Sequence, residues 1–299
     1  MTDDAAPNVH PSPTDGRGRS VGVATALGSA ASNQFGAAMG AFAFPVIGPL
    51  GVVAVRQVVA AAVLLAVARP PLRSFTWAQW WPVLLFAVVL ATMNLTLYVS
   101  IERIGLGLAV ALEFLGPLSI ALVGTRSRAG ALSAVMAGAG VLALTHPDAS
   151  SDFLGIGLAL VAACGWASYI VLNRTLGRRL PGVQGTAAAS AASAVVFLPI
   201  GVAVVAATRP DASTVLFAVA AGVFASAVPF ALDLLALKRL PAGLFGVLSS
   251  VQPVFAAAFG VVLLRETLVP VEWAGVLLIA GANVAALALK PQGPTLPEG

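Results

Sequence analysis

Ten runs of apolar residues, each long enough as a helix to cross a hydrocarbon core of about 30 Å, dominate this sequence and constrain its fold more than any other feature. They cover residues 21–44, 50–68, 80–101, 105–124, 128–145, 153–174, 185–207, 215–237, 242–264 and 269–289. Hydrophobic residues make up 59% of the chain and charged residues 9%, whereas a soluble domain carries about 25% charged side chains. A compact chain of this length needs a polar exterior in water, so the solvent of most of this surface is lipid. The expected fold class is an all-α polytopic membrane protein.

Little is left outside the runs. Residues 1–20 are polar and Pro-rich with no apolar core, which predicts a tail rather than a cleavable signal peptide. Residues 290–299 read as a second tail, too rich in Pro and Gly for regular structure. The net charge of +4 is spread over the breaks between apolar runs and forms no nucleic-acid patch. With the N-terminus inside, twelve of the sixteen Lys and Arg residues fall on inner segments. The enrichment of basic residues in cytoplasmic loops therefore predicts that both termini are cytoplasmic.

The chain also resembles itself. Shifted by 136 residues, 103–124 falls on 239–260 with seven of 22 positions identical, among them Gly107 with Gly243, Pro117 with Pro253 and Gly124 with Gly260. Compositional coincidence in so Ala, Gly and Leu-rich a chain is the competing explanation. A duplicated unit of five spans must insert in the opposite sense the second time, and Arg103 and Arg239 duly fall in outer and inner breaks. The expected architecture is ten transmembrane helices as two inverted five-helix repeats, 21–145 and 153–289.

Polar side chains inside the spans are the candidate functional residues, because a charge at mid-span costs about 2.5–3.5 kcal/mol on insertion scales. Glu113 lies about 12 Å below the outer surface, with Gln34, Arg56 and Asn94 on three other spans at depths of about 9–15 Å. Tyr98 is one turn beyond Asn94 on the same face. Two readings stay open. Arg56 and Glu113 neutralise each other as a packing pair, or they line a hydrated cavity, Arg56 facing a carboxylate and Glu113 an ammonium group or a proton. Pro117 and Pro253 are expected to bend spans four and nine, the second after Ser249, Ser250 and Gln252, although Pro is also merely tolerated in membrane helices. Asp233 near the inner end of span eight either functions or offsets Lys238. Trp166 and Tyr169 lie too deep for an interfacial belt, whereas Trp77, Trp80 and Trp81 read as anchors. Gly28, Ser32, Gly36 and Gly40 mark a close helix contact.

The inventory for an enzyme is poor. His10 and His146 lie outside the spans, Cys164 is the sole cysteine, and no metalloprotease, nucleophile-elbow or phosphate-loop motif is present. No cofactor or metal is expected. A channel is the rival class, but selectivity filters are commonly assembled from several subunits.

The stretch MNLTLYVSIERIGLGLAVALEFLGPLSIAL (93–122) resembles the EamA branch of the drug/metabolite transporter superfamily, and most closely its threonine and homoserine exporters. The likeness continues through SNQFGAA (32–38), Arg56, CGWASYI (164–170), SAVPFALDLLALKRLP (226–241) and FGVLSSVQPVFAAAFGVVLLRETL (245–268). This resemblance implies a ten-helix inner-membrane carrier exporting small hydrophilic amino acids under the proton gradient. Asp233 stands where such exporters tend to carry Glu, and Phe35 and Leu115 replace smaller polar residues, so the substrate is not fixed as threonine. The expected partners are a small zwitterionic solute, protons and the lipid bilayer, with a homodimer left open.

Overall fold

The computed structural model describes residues 16–123, 128–144, 152–181 and 183–288. The two tails beyond residues 16 and 288, His10, His146 and Gly124 lie outside them. Among the described residues every regular element is helical: α1 (Gly16–Ala68), α2 (Trp77–Ile104), α3 (Leu106–Glu113), α4 (Leu115–Leu122), α5 (Arg128–Leu144), α6 (Phe153–Arg179), α7 (Gln184–Thr208), α8 (Ala212–Gly222), α9 (Val228–Leu237), α10 (Ala242–Ser249), α11 (Gln252–Leu263) and α12 (Pro270–Ala288). Seven helical stretches among these residues are long and apolar enough to cross a membrane, and 106–122 and 130–144 are shorter apolar ones. This is a polytopic membrane protein.

Helix α1 is a hairpin rather than a rod. Gly48 adopts φ 62°, ψ 171° between Pro45 and Pro49, a conformation open to glycine and costly for any side chain. A Cβ on Gly40 would lie 3.0 Å from Val52 Cγ1, whereas twelve residues of straight helix span about 18 Å. The apolar runs at 21–44 and 50–68 are thus the two antiparallel legs of α1. Gly105, at φ 85°, ends α2 and turns the chain directly into α3. Caps set other starts. Thr76 and Gln79 form a capping box at α2, Asp152 caps α6 through Gly155 N–H, and Asp211 caps α8 through Thr214 N–H. The Gly155 N–H and the Arg103 guanidinium, an ion pair at 2.9 Å, hold the Asp152 carboxyl below its usual range. The Ser213 and Thr214 hydroxyls, with Thr214 N–H, push Asp211 down to about 2.

Packing follows small residues, as membrane helices require when lipid tails are as apolar as leucine. A Cβ on Gly36 would meet Ala225 N at 2.3 Å, one on Gly116 would meet Ala163 O at 2.2 Å, and one on Gly165 would meet Met93 Cβ at 2.9 Å. Ser32 donates to Phe224 O at 2.8 Å. The Gly28, Ser32, Gly36, Gly40 stripe therefore seats α1 against α8 and α9. Large apolar side chains face outward instead, Val195, Val196, Leu198 and Val202 on α7 among them.

The bundle has two chemically different ends. Arg19, Arg69, Arg73, Arg174, Arg178, Arg179, Lys238 and Arg239 collect at one end, beside Trp77 and Trp81. At the other are Glu102, Asp152, Asp211, Glu266 and Glu272 with three arginines, Arg103, Arg209 and Arg265. Trp77 is 73% exposed at the basic end, while Trp80 packs against Phe75.

Two helices break at matched places. Helix α3 ends at Glu113 and α10 at Ser249, four residues before Pro117 and Pro253. A proline ring clashes with the carbonyl four residues back and lacks an N–H for it, so each break falls where its proline dictates. The bounds of α3 and α10 are 136 residues apart at both ends, and the two helices run in opposite directions between the basic and acidic ends.

Candidate functional site

Between the basic end and the middle of the bundle, a cavity of about 550 Å³ opens among α1, α2, α4, α6, α7, α9, α10 and α12. Its polar wall includes Asn33, Arg56, Asn94, Asp233, Ser249 and Gln252, and its aromatic wall includes Phe114, Trp166, Tyr169, Phe230 and Phe245. A largely apolar enclosure with a few placed polar groups is the usual form of a small-molecule site.

Arg56 stands on the returning leg of α1. Its Nη2 donates to Ala225 O at 3.1 Å and its Nε approaches Ser226 Oγ at 3.4 Å. The guanidinium lies 5.2 Å from the centroid of the Tyr98 ring, within cation–π range. Residues Val223–Ala227 form a π-helical turn between α8 and α9. That wider turn is pinned by Ser32 on Phe224 O and by Arg56 on Ala225 O; such bulges are frequent at functional sites. One face of the guanidinium is thus held by protein while the group still borders the cavity.

A second polar group forms where α11 begins. Gln252 Oε1 accepts from Asn33 Nδ2 and from Gln34 Nε2, both at 2.9 Å. These bonds join the outgoing leg of α1 to the break between α10 and α11. Ser249 and Ser250 donate back to their own helix, to Phe245 O at 2.9 Å and Gly246 O at 3.0 Å. On the other broken helix Phe114 meets Trp166 edge-on at a centroid distance of 4.6 Å, and its carbonyl accepts from Asn283 Nδ2 at 3.4 Å.

The residues singled out from the sequence divide into two sets. Arg56, Asn94, Pro117, Trp166, Asp233 and Ser249 border the cavity, as do Tyr169, Ser250 and Gln252. Gln34, Tyr98, Glu113 and Pro253 lie behind its wall. Asn94 turns its amide onto Leu90 O at 2.8 Å. Tyr98 is fully buried, and among the described residues its hydroxyl has no hydrogen-bond partner. Glu113 is 4% exposed, and among the described residues the only ion pair within 4.0 Å is Arg103 with Asp152. Arg56 and Glu113 therefore make no direct salt bridge, although the Arg56 charge acts on Glu113.

Sequence reasoning passed over Asn33, Ser226, Asn283 and Glu266. The first three were within reach of the rule that found Gln34, a polar side chain inside an apolar run. Glu266 sat in a connecting segment, where a carboxylate raises no question until its surroundings are known.

An all-helical membrane bundle with broken helices facing a cavity is the build of a solute transporter, and the comparisons with known proteins agree. The chain belongs to the EamA-like transporter family, whose pattern matches residues 153–287; this is a family of transporters, not enzymes. It is 36% identical over 259 residues to the threonine/homoserine exporter RhtA of Escherichia coli strain K12, covering 86% of each chain. Its identity to the threonine/homoserine exporter RhtA of Salmonella typhimurium strain SL1344 is 34%, over 85% of this chain and 87% of that one. One solved crystal structure shares the fold with a TM-score of 0.60 at 22% identity, over 92% of this chain and 99% of its own.

Proposed function

We propose that this protein is a secondary active exporter of small amino acids of the threonine and homoserine kind, or of related zwitterionic metabolites, coupled to protons. In this reading it sits in the inner membrane with both termini in the cytoplasm. Ten spans form two inverted five-helix units, and the cavity mouth at the basic end faces the cytoplasm. The excess of Arg and Lys at that end supports the orientation. The antiparallel legs of α1, the matched breaks after α3 and α10 and their opposite directions support the inverted units.

One observation carries the reading: Arg56 borders a cavity of about 550 Å³ whose wall also holds the amides of Asn33, Asn94 and Gln252 and the carboxylate of Asp233. The guanidinium takes a carboxylate in bidentate fashion. Asn33, Asn94 and Gln252 hydrogen-bond the amino and hydroxyl groups, Trp166 and Phe114 shape the apolar side, and Asp233 attracts the ammonium group near the mouth. Gln34 holds Gln252 in place. Glu113, buried and acted on by the charge of Arg56, is the proton-exchanging group. Pro117 and Pro253 provide bends on which α4 and α11 swing.

Vesicles loaded with threonine or homoserine test this. Saturable efflux that collapses with a protonophore and is lost in Arg56→Gln is expected; non-saturating leak, or full efflux by Arg56→Gln, would refute it.

A further inference from the structure

At the acidic end the structure holds a contact that the cavity does not explain. Glu266, on the segment between α11 and α12, reaches across to the start of α3. One carboxylate oxygen accepts from Leu106 N–H at 2.7 Å, and the other is 3.4 Å from Gly107 N. A seat of glycines receives it. A Cβ on Gly105 would lie 3.0 Å from Glu266 Cδ, and one on Gly260 would lie 2.1 Å from Oε2. Next to the carboxylate, α3 and α11 touch backbone to backbone, with a Cβ on Gly107 only 2.9 Å from Ala257 Cα. The first N–H groups of a helix have no intrahelical acceptor, and the helix N-terminus favours a negative charge. Glu266 meets both needs for α3 from a different part of the chain.

We propose that Glu266 is the latch of the gate opposite the cavity mouth, holding α3 against α11 while the basic end is open and releasing when the cavity opens to the other face. The idea rests on the transporter reading above and adds to it the residue that closes the far side. Its position supports the role. The α3 to α11 contact packs the two broken helices backbone to backbone, while residues of their other halves, α4 and α10, line the cavity. The latch is also built to release. Burial of the carboxylate and the like charge of Glu272 both oppose the ionised form that its two N–H donors favour, so water entering an opened gate recovers part of what the bonds supply.

The test reads water access from each face. In full-length protein with Cys164→Ser, Ile120→Cys places a thiol on the cavity wall, and a membrane-impermeant maleimide is applied from either side. With Glu266 intact the thiol reacts mainly from the face of the basic end and slowly from the other. Glu266→Ala raises reaction from the acidic face roughly tenfold, the scale of losing one charge-assisted hydrogen bond, and lowers it from the basic face. Glu266→Gln, which keeps an acceptor for Leu106 N–H, falls between. Gly107→Ala, which pushes α3 off Ala257 without touching the carboxylate, shifts access in the same direction. Equally fast reaction from both faces with Glu266 intact, an unchanged ratio of the two in Glu266→Ala, or an equal fall at both faces in Glu266→Ala would overturn the proposal. Labelling reads the gate whichever solute the protein carries, so failure of threonine efflux in the same vesicles counts against the substrate and leaves the latch standing or falling by itself.

Discussion

Helices α3 and α10 are eight residues long, begin and end 136 residues apart, and each stops four residues before a proline. Yet all eight residues of α3 are buried, while Leu244–Ser249 of α10 are only partly so. One is locked at the acidic end by α11 and Glu266; the other borders the cavity at the basic end. Local sequence therefore gives the same broken helix twice, and the tertiary surroundings decide which copy is closed. The proposed carrier of two inverted halves needs such inequality, because at any moment one side must be sealed and the other open.

The largest effect should come from the open side. Arg56→Gln removes the guanidinium that borders the cavity and leaves Ala225 O without its charged partner. Efflux should fall about a hundredfold, in line with about 2–5 kcal/mol for a buried charged contact, while the amount of folded protein in the membrane stays near normal. Retained efflux would detach the cavity from transport and leave the inequality of the two ends without a purpose.

The second test adds one methyl group to each of the two helices. Gly107→Ala on α3 meets a backbone atom at 2.9 Å, whereas on α10 a Cβ at Gly246 meets only Leu287 methyl carbons, the nearest at 3.4 Å. Overpacking of a tight contact costs about 1–3 kcal/mol. Thermal melting in detergent should show Gly107→Ala lowered by several degrees and Gly246→Ala within the scatter of the parent. Equal shifts would mean that the closed end is no better packed than the open one.

Much of this architecture was legible because lipid simplifies sequence. Apolar runs had to be helices, the first two stood apart as separate runs at 21–44 and 50–68, and Pro117 and Pro253 were expected to bend theirs, where the structure breaks the helix four residues earlier. The site was legible in part. Arg56, Asn94, Trp166 and Ser249 stood out as polar or aromatic groups within spans and Asp233 as an acid near a span's inner end, and all five border one cavity. Depth along a helix does not give rotation about its axis, however, so Gln34 and its neighbour Asn33 could not be told apart. Asn33 borders the cavity, and Gln34 supports Gln252 from behind. For the same reason Arg56 and Glu113, at one level, do not form an ion pair. Glu266 was out of reach of any such rule, since its meaning depends on a partner 160 residues away.

Gln252→Leu sharpens the comparison at smaller scale. Gln252 begins α11 and ties it to α1 through Asn33 and Gln34; its counterpart under the 136-residue shift is Gly116, which has no side chain and packs directly on Ala163. Losing the amide leaves two donors without their acceptor, at about 1–3 kcal/mol for buried ones. The KM for efflux should rise about tenfold while maximal rate changes less, because the loss weakens binding in ground and transition states alike.

Ser249→Ala should have the smallest effect. Its hydroxyl borders the cavity but is already bonded to Phe245 O one turn back, and serines that bond back to their own helix are tolerated in membrane spans and bend them slightly. Removing it therefore frees a carbonyl that the following break leaves accessible, without opening a gap or stranding a donor. Efflux kinetics should stay within about twofold of the parent, the range left once no buried partner is lost. A larger rise in KM would mean that the hydroxyl turns toward solute during the cycle, and that α10 changes its internal hydrogen bonds as it moves from the open arrangement seen here toward the packed state of α3.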